Sequence, residues 1–514
     1  MMKAEPFQMG YVLSNDSNIK LNLEGVKLNS WDFKEIGRFK LWVHKKETFF
    51  IESDLSKTLI LIGHAYNPFT MQADEHDILC SILSCNSDLE YWNYIDQLTG
   101  LFVLITISDD ETITAICDCA GMMGAYYSVG RNCVYFSSHA QIIAELLDLK
   151  EDSYVSALKK SPTFHYYGLF LPFDLSPYEE VKRIIPNVEV EIRRKHVSLN
   201  RFYPRQHYNA TDDYEATVNR VAELLHNNLV LIAEKWEKPA ISLTGGTDSK
   251  TTLACAGDVQ DKFLYYSYIS LDREATDAHA AQTICKSLNL SHEIYEIDVN
   301  PEHHPNFTDY DRLIERQYGF LGKGNSNDVC KRIGLIEQFH SDIEVKSWVS
   351  EVARASRYNI YGKKRFPDHI RPRMLTSMYK VFTYDRLNAF RTDRYFKKYL
   401  LCTELQKRIE ETGYPWTEFF VWEIVFGGWG GLALSCEHKV SNNITVPYNN
   451  RAILDLMIRT PLEKRRSDQL HRDIMDVNDP RINKLGIHVI NGNESKKRQI
   501  AERLYFDINS HIPF

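Results

Sequence analysis

The chain has 514 residues, 44% of them hydrophobic, and a formal net charge of -8. That length exceeds what a single core organises and the apolar content is enough for two, so two domains are expected. The mild negative balance gives no basic footprint for a nucleic-acid surface, and no stretch reads as apolar enough to span a bilayer, so a cytoplasmic location with neither nucleic-acid nor membrane partner is expected.

The ten cysteines are scattered, as reduced core thiols are. Cys117 and Cys119 alone sit close together, without the second Cys or His pair that zinc requires.

Residues 1–205 read as an α+β domain. Leu101 to Ile107, Thr112 to Cys117 and Cys133 to Ser138 are short strands separated by turn residues such as Ser108-Asp109-Asp110, and Val188 to Ile192 with His196 to Arg201 suggest a further hairpin. A linker is expected near Tyr203 to Thr211. A long amphipathic helix follows from Asp212-Asp213 to about Glu234, opening a second domain over residues 206–514.

The most informative stretch is Ile241-Ser-Leu-Thr-Gly-Gly-Thr-Asp-Ser-Lys250, in which a buried-type strand turns through two glycines into a helix. Gly245 and Gly246 lack a Cβ, so their backbone N–H groups can approach an anion closely. The unpaired N–H groups of the first helical turn point to the same place, and Thr244, Thr247 and Ser249 add hydroxyls. This is an architecture for gripping polyphosphate. Asp248 beside phosphates calls for an intervening cation, which predicts Mg2+. A Walker loop is excluded by the glycine spacing.

Lys262 to Ser270 reads as the next strand, Asp277 to Leu290 as a helix and His292 to Asp298 as a third strand. The alternation predicts a doubly wound α/β parallel sheet with ligands at the carboxyl ends of its strands. His303-His304 reads as a proline-bounded loop. Ile343 to Val349 is a further strand, followed by Ser350-Glu-Val-Ala-Arg-Ala-Ser-Arg357. The last third is helical and aromatic, and Gly427-Gly-Trp-Gly-Gly431 reads as a helix break between packed aromatics or a substrate-facing turn. The basic stretch Lys464-Arg465-Arg466 reads equally as a solvated face.

Thr244 to Ser249 resembles the pyrophosphatase loop, S-G-G-x-D-S, of enzymes that split ATP between its α and β phosphates. The order of elements, with Asp277-x-x-Ala-Ala-Gln, is similar to the synthetase domain of asparagine synthetases. Gly100-Leu-Phe, Asp118-Cys-Ala-Gly121, Ala125-Tyr-Tyr127 and Phe136-Ser-Ser138 together resemble the Ntn-hydrolase-like sandwich that class II glutamine amidotransferases carry in front of it. That family's catalytic N-terminal cysteine is missing: Met2 follows Met1 and the first cysteine is Cys80. Glutaminase activity is therefore not expected, an arrangement similar to that of β-lactam synthetases.

The resemblance implies ATP and Mg2+ as cofactors, with adenine near Leu243 and Ile269, phosphates on Thr244 to Ser249, and magnesium on Asp248. It implies a catalytic role for Glu351, which matches the first carboxylate of the family's G-E-G-S-D-E loop, and for a late lysine, Lys464 or Lys484. Arg354 stands where a metal carboxylate would be, and with Arg357 is positioned by charge to bind phosphate directly. The implied activity is adenylation of a carboxylate or amide oxygen of a small molecule, sugar or peptide, followed by transfer to ammonia or another amine, in a possible homo-oligomer. Two other readings are a catalytically altered nucleotide-binding or regulatory module and a sulfur-transfer or nucleotide-modifying enzyme with the same loop.

Overall fold

The computed structural model describes residues 5–511 apart from 132, 162–163, 165–169, 322–325, 380–384, 488 and 490–495. Met1 and Met2 therefore lie outside the described residues.

Seventeen strands in the described residues form three sheets: β1 (Tyr11–Ser14), β2 (Trp31–Ile36), β3 (Phe39–His44), β4 (Phe49–Ser53), β5 (Lys57–Tyr66), β6 (Thr99–Ser108), β7 (Ile113–Cys117), β8 (Tyr126–Val129), β9 (Val134–Ser137), β10 (Lys182–Arg183), β11 (Val188–Arg193), β12 (His196–Arg201), β13 (Pro239–Ser242), β14 (Leu264–Ile269), β15 (His292–Glu296), β16 (Ile343–Val345) and β17 (Ile444–Thr445). The first twelve make two antiparallel sheets, ordered β10-β8-β9-β1-β3-β2 and β12-β11-β7-β6-β5-β4. β5 and β6 pair along their whole length, from Lys57 opposite Ser108 to Tyr66 opposite Thr99. Their residues are apolar on both faces because both faces are covered. Leu13, Leu41 and Phe136 of one sheet share a core with Leu61, Val103 and Ile116 of the other, and the helix Glu75–Leu83 packs on β4 and β5.

The third sheet is parallel and ordered β15-β14-β13-β16-β17. The chain proceeds from β13 outward to β14 and β15 on one side, then returns to lay β16 and β17 on the other. A crevice therefore opens at the carboxyl end of β13, the place where such sheets bind ligands. Helix α1 (Tyr214–Lys235) precedes β13, α2 (Thr247–Cys255) follows it, and α3 (Asp272–Ser287) joins β14 to β15.

Several elements differ from expectation. α3 begins at Asp272 rather than Asp277, because the Glu274 carboxylate accepts hydrogen bonds from the N–H groups of Ser270 and Leu271 and from the Ser270 hydroxyl, fixing an earlier start. β16 stops at Val345, and the chain turns at Val349, a β-branched residue held at φ 77°. Pro301–His303 is a single 3-10 turn in which His303 pairs with Asp298.

The glycine-rich stretch is neither a break nor a turn. Phe420–Gly430 winds as a π-helix and continues into the α-helix Gly431–Cys436. Its glycines allow close approach of the antiparallel sandwich: a Cβ on Gly431 would lie 2.2 Å from the Gly121 carbonyl oxygen, and one on Gly427 would lie 2.9 Å from Pro186. The whole helical run Trp416–Val440 is long and apolar enough to cross a membrane, contrary to the sequence reading, but 83% of its apolar window is buried inside the protein. Buried polar contacts pin the same interface. Arg201 of β12 forms a fully buried ion pair with Glu423 at 2.6 Å, and the Trp422 indole donates to the Cys119 carbonyl at 2.7 Å. Cys117 and Cys119 are buried free thiols.

Candidate active site at the carboxyl end of the parallel sheet

The loop after β13 is closed by its own hydroxyls. Ser249 Oγ accepts from the Thr244 N–H at 3.1 Å and lies 3.0 Å from Thr244 Oγ1, which in turn accepts from the Gly246 N–H at 3.1 Å. Gly246 is the N-cap of α2 and supplies no side-chain cap, so the first-turn N–H groups face the crevice without one. Gly245 is needed for close packing, since a Cβ there would fall 2.3 Å from Val489 Cγ2. Thr247 is half-buried at the helix start.

Asp248 is the centre of a charged cluster drawn from three parts of the chain. Its Oδ1 accepts from the Ser350 hydroxyl at 2.6 Å, and its Oδ2 pairs with Arg354 Nη1 at 2.6 Å. Arg354 also grips Asp468 through Nε at 2.9 Å and Nη2 at 2.7 Å. His471, on helix α4 (Gln469–Asn478) packed against α2, places Nε2 3.6 Å from Asp248 Oδ1. The turn that delivers Ser350, Glu351 and Arg354 runs between two left-handed residues, Val349 at φ 77° and Ala355 at φ 51°. Strained non-glycine backbone of this kind persists where surrounding packing imposes it.

This arrangement does not fit a magnesium ion held by the protein. Both oxygens of Asp248 are engaged, Asp468 is bound by the same guanidinium, and no group of three His, Cys, Asp or Glu side chains among the described residues is arranged to hold a metal. The expected role of Asp248 as metal ligand is thus replaced by an ion pair, with Arg354 as the local cation.

Glu351 lies beside this cluster. Burial, and next the negative charge of Asp248, push its carboxyl up to about 7. Its Oε2 is buried without a hydrogen-bond partner among the described residues. A carboxyl that titrates near neutrality is suited to taking or giving a proton. Burial lowers the pKa of the His471 imidazole from its ordinary value, and both ring nitrogens are unpartnered by hydrogen bonds among the described residues. Sequence reasoning misses Asp468 and His471, because no local pattern ties them to a loop some 220 residues earlier.

Other expected residues are placed elsewhere. Lys464 is exposed, its ammonium 5.0 Å from the Tyr214 ring centroid, and Lys484 is exposed at a helix end. The residue turned inward is Arg465, which pairs with buried Glu418 at 2.6 Å and donates to the Ala353 carbonyl at 3.2 Å, supporting the Ser350–Arg354 turn from beneath. Arg357 is half-buried and its guanidinium lies over the Phe420 ring, 5.5 Å from the centroid. Leu243 is fully buried; its N–H donates to the Tyr266 carbonyl and its own carbonyl accepts from Ser267 Oγ, so it offers an adenine ring no free donor. Ile269 is half-buried at the end of β14, where its carbonyl accepts from the Ile297 N–H.

No protein-family model and no curated protein matches the chain. Among solved structures, an allosteric regulatory enzyme of purine biosynthesis aligns at 10% identity over 46% of this chain and 54% of its own, with a TM-score of 0.23. Glutamine phosphoribosylpyrophosphate amidotransferase from B. subtilis, complexed with ADP and GMP, aligns at 10% identity over 68% of this chain and 71% of its own, also with a TM-score of 0.23. Glutamine-dependent NAD+ synthetase from Acinetobacter baumannii, in complex with ADP, aligns at 14% identity over 35% and 32%, with a TM-score of 0.20. The chain thus spans about half the length of the first of these and a third of the last. At these TM-scores the likenesses carry no argument about activity.

Proposed function

We propose that the chain is an ATP-dependent amide-forming ligase with two domains, residues 1–205 an amidotransferase-like sandwich without glutaminase activity and 206–514 a synthetase domain acting in the cytoplasm. The observation that carries the reading is the uncapped start of α2 behind Gly245-Gly246, with Thr244, Thr247 and Ser249 around it, at the carboxyl end of the central parallel strand.

ATP phosphates bind the first-turn N–H groups of α2, and Arg354 turns from Asp468 to the polyphosphate as it arrives. A substrate carboxylate oxygen attacks the α phosphorus; the bond to the β-bridging oxygen breaks and pyrophosphate leaves, giving an acyl-adenylate. Ammonia or another amine then attacks the acyl carbon, loses a proton to Glu351, and AMP departs with the phosphate oxygen. Positioning and charge stabilisation supply most of the rate. No step is routed through a magnesium ion on Asp248.

The test is a thermal-shift measurement with ATP on the wild type and on Thr247→Glu. A glutamate at the first helical position suits the helix dipole, so the fold is retained, while its carboxylate stands where phosphate would bind. A shift in the wild type that is lost in Thr247→Glu supports the reading and justifies screening carboxylates and amines for AMP and pyrophosphate release. An equal shift in both proteins places nucleotide elsewhere and sinks it.

A further inference from the structure

A second feature lies apart from the β13 loop. Helix α5 (Pro372–Met378) and helix α6 (Arg386–Cys402) border a cavity of about 740 Å³ lined by Arg371, Arg373, Arg394, Lys397 and Lys398, with Asp393 as the only acidic side chain among the described residues that line it. Asp393 is paired with Arg373, while Arg371, Arg394, Lys397 and Lys398 make no ion pair among the described residues. In a chain of net charge -8 this is a strong local reversal of sign.

The same face of α6 is apolar as well as basic. Leu387, Phe390 and Leu401 are 63%, 45% and 63% exposed. With Arg394, Lys397 and Lys398 they fall at helical spacings on one face, where the three cations stand between Phe390 and Leu401. Exposed leucine and phenylalanine grouped this way mark an interaction surface.

We infer that this groove docks an acidic peptide segment that carries apolar side chains. Charge complementarity selects an anionic occupant, and the apolar residues require more than charge. From Leu387 to Leu401 the face runs for about 21 Å at 1.5 Å per residue, the reach of about six residues of extended chain and more than a small anion covers. A peptide is favoured over a lipid surface because the basic groups line a concavity rather than a flat face. Binding is steered by the cations and anchored by the apolar contacts, as in groove recognition of short motifs.

The test is fluorescence anisotropy of a labelled peptide repeating Glu-Glu-Leu, on the full chain. Repeats of Glu-Glu-Ser and Lys-Lys-Leu, inorganic tripolyphosphate as competitor, and phosphatidylglycerol vesicles serve as comparisons. Glu-Glu-Leu is expected to bind, to weaken as salt rises, and to weaken about tenfold in Arg394→Glu/Lys397→Glu/Lys398→Glu and again in Leu387→Ser/Phe390→Ser/Leu401→Ser. Both variants alter exposed side chains, and circular dichroism checks that they fold. Equal binding of Glu-Glu-Ser, or displacement by tripolyphosphate alone, would reduce the groove to a simple anion site and overturn the inference. Capture by vesicles without peptide binding would make it a membrane-facing surface. Peptide binding unchanged in both variants would place the contact elsewhere.

Discussion

The guanidinium of Arg354 lies 2.6 Å from Asp248 Oδ2 while holding Asp468 with two further hydrogen bonds at 2.9 and 2.7 Å. One cation thereby joins the glycine loop after β13, the strained turn after β16 and the N-cap of α4. The charge that the loop sequence demands beside Asp248 is supplied by the protein, and the position expected to bind metal is closed by an ion pair.

Removing that cation leaves two partly buried carboxylates facing each other. Arg354→Met is expected to cost about 1–3 kcal/mol in urea denaturation. Adding Asp468→Asn should recover part of the loss, because the double variant buries one charge fewer. No loss in the single variant would mean the ion pair is solvated and contributes nothing to stability.

Glu351 gives a pH signature. Between the ordinary carboxyl range and about 7, native Glu351 keeps a proton that the unfolded chain has released. The native state then binds more protons, so stability falls as pH rises through that window and levels off above it. The expected fall is on the order of 3 kcal/mol, and Glu351→Gln should remove this component. Identical pH profiles for wild type and Glu351→Gln from pH 5 to 8 would show that the carboxyl is not buried as described.

The packing of the helical run Trp416–Val440 against the antiparallel sheets predicts a contrast between two glycines. Gly431→Ala drives a methyl against the Gly121 carbonyl oxygen and should destabilise by about 1–3 kcal/mol. In Gly130→Ala the nearest atom to the new methyl is the Cys133 carbonyl oxygen at 3.6 Å, so the thermal midpoint should hardly move. Comparable losses in both would argue against close approach to Gly121 deciding the first, since helix propensity by itself favours alanine at 431.

The adjacent residues Lys464 and Arg465 should separate cleanly. Lys464→Ala loses one cation–π contact, worth about 0.5–1 kcal/mol, and should leave any ATP-induced thermal shift intact. Arg465→Met strands Glu418 in the core and should cost about 3–5 kcal/mol. A lost ATP response in Lys464→Ala would restore this lysine to the site.

The sequence by itself determined the elements whose cause is local. Short strands set off by turn residues marked β7, β11 and β12, the apolar run before two glycines marked β13, and the hydroxyl-rich start of α2 marked the loop, because each depends on residues a few positions apart. Strand order, the meeting of Asp248 with Arg354, Asp468 and His471, and the choice of Arg465 over Lys464 were decided only by tertiary structure. The contacts around Asp248 join residues more than a hundred positions apart, and their signs depend on burial: the same carboxylate reads as a metal ligand in a list of residues and as half of an ion pair once a guanidinium is packed against it. The glycines at 427–431 show the same division, since the property that matters, a carbonyl oxygen 2.2 Å from a missing Cβ, belongs to a neighbour from the other end of the chain.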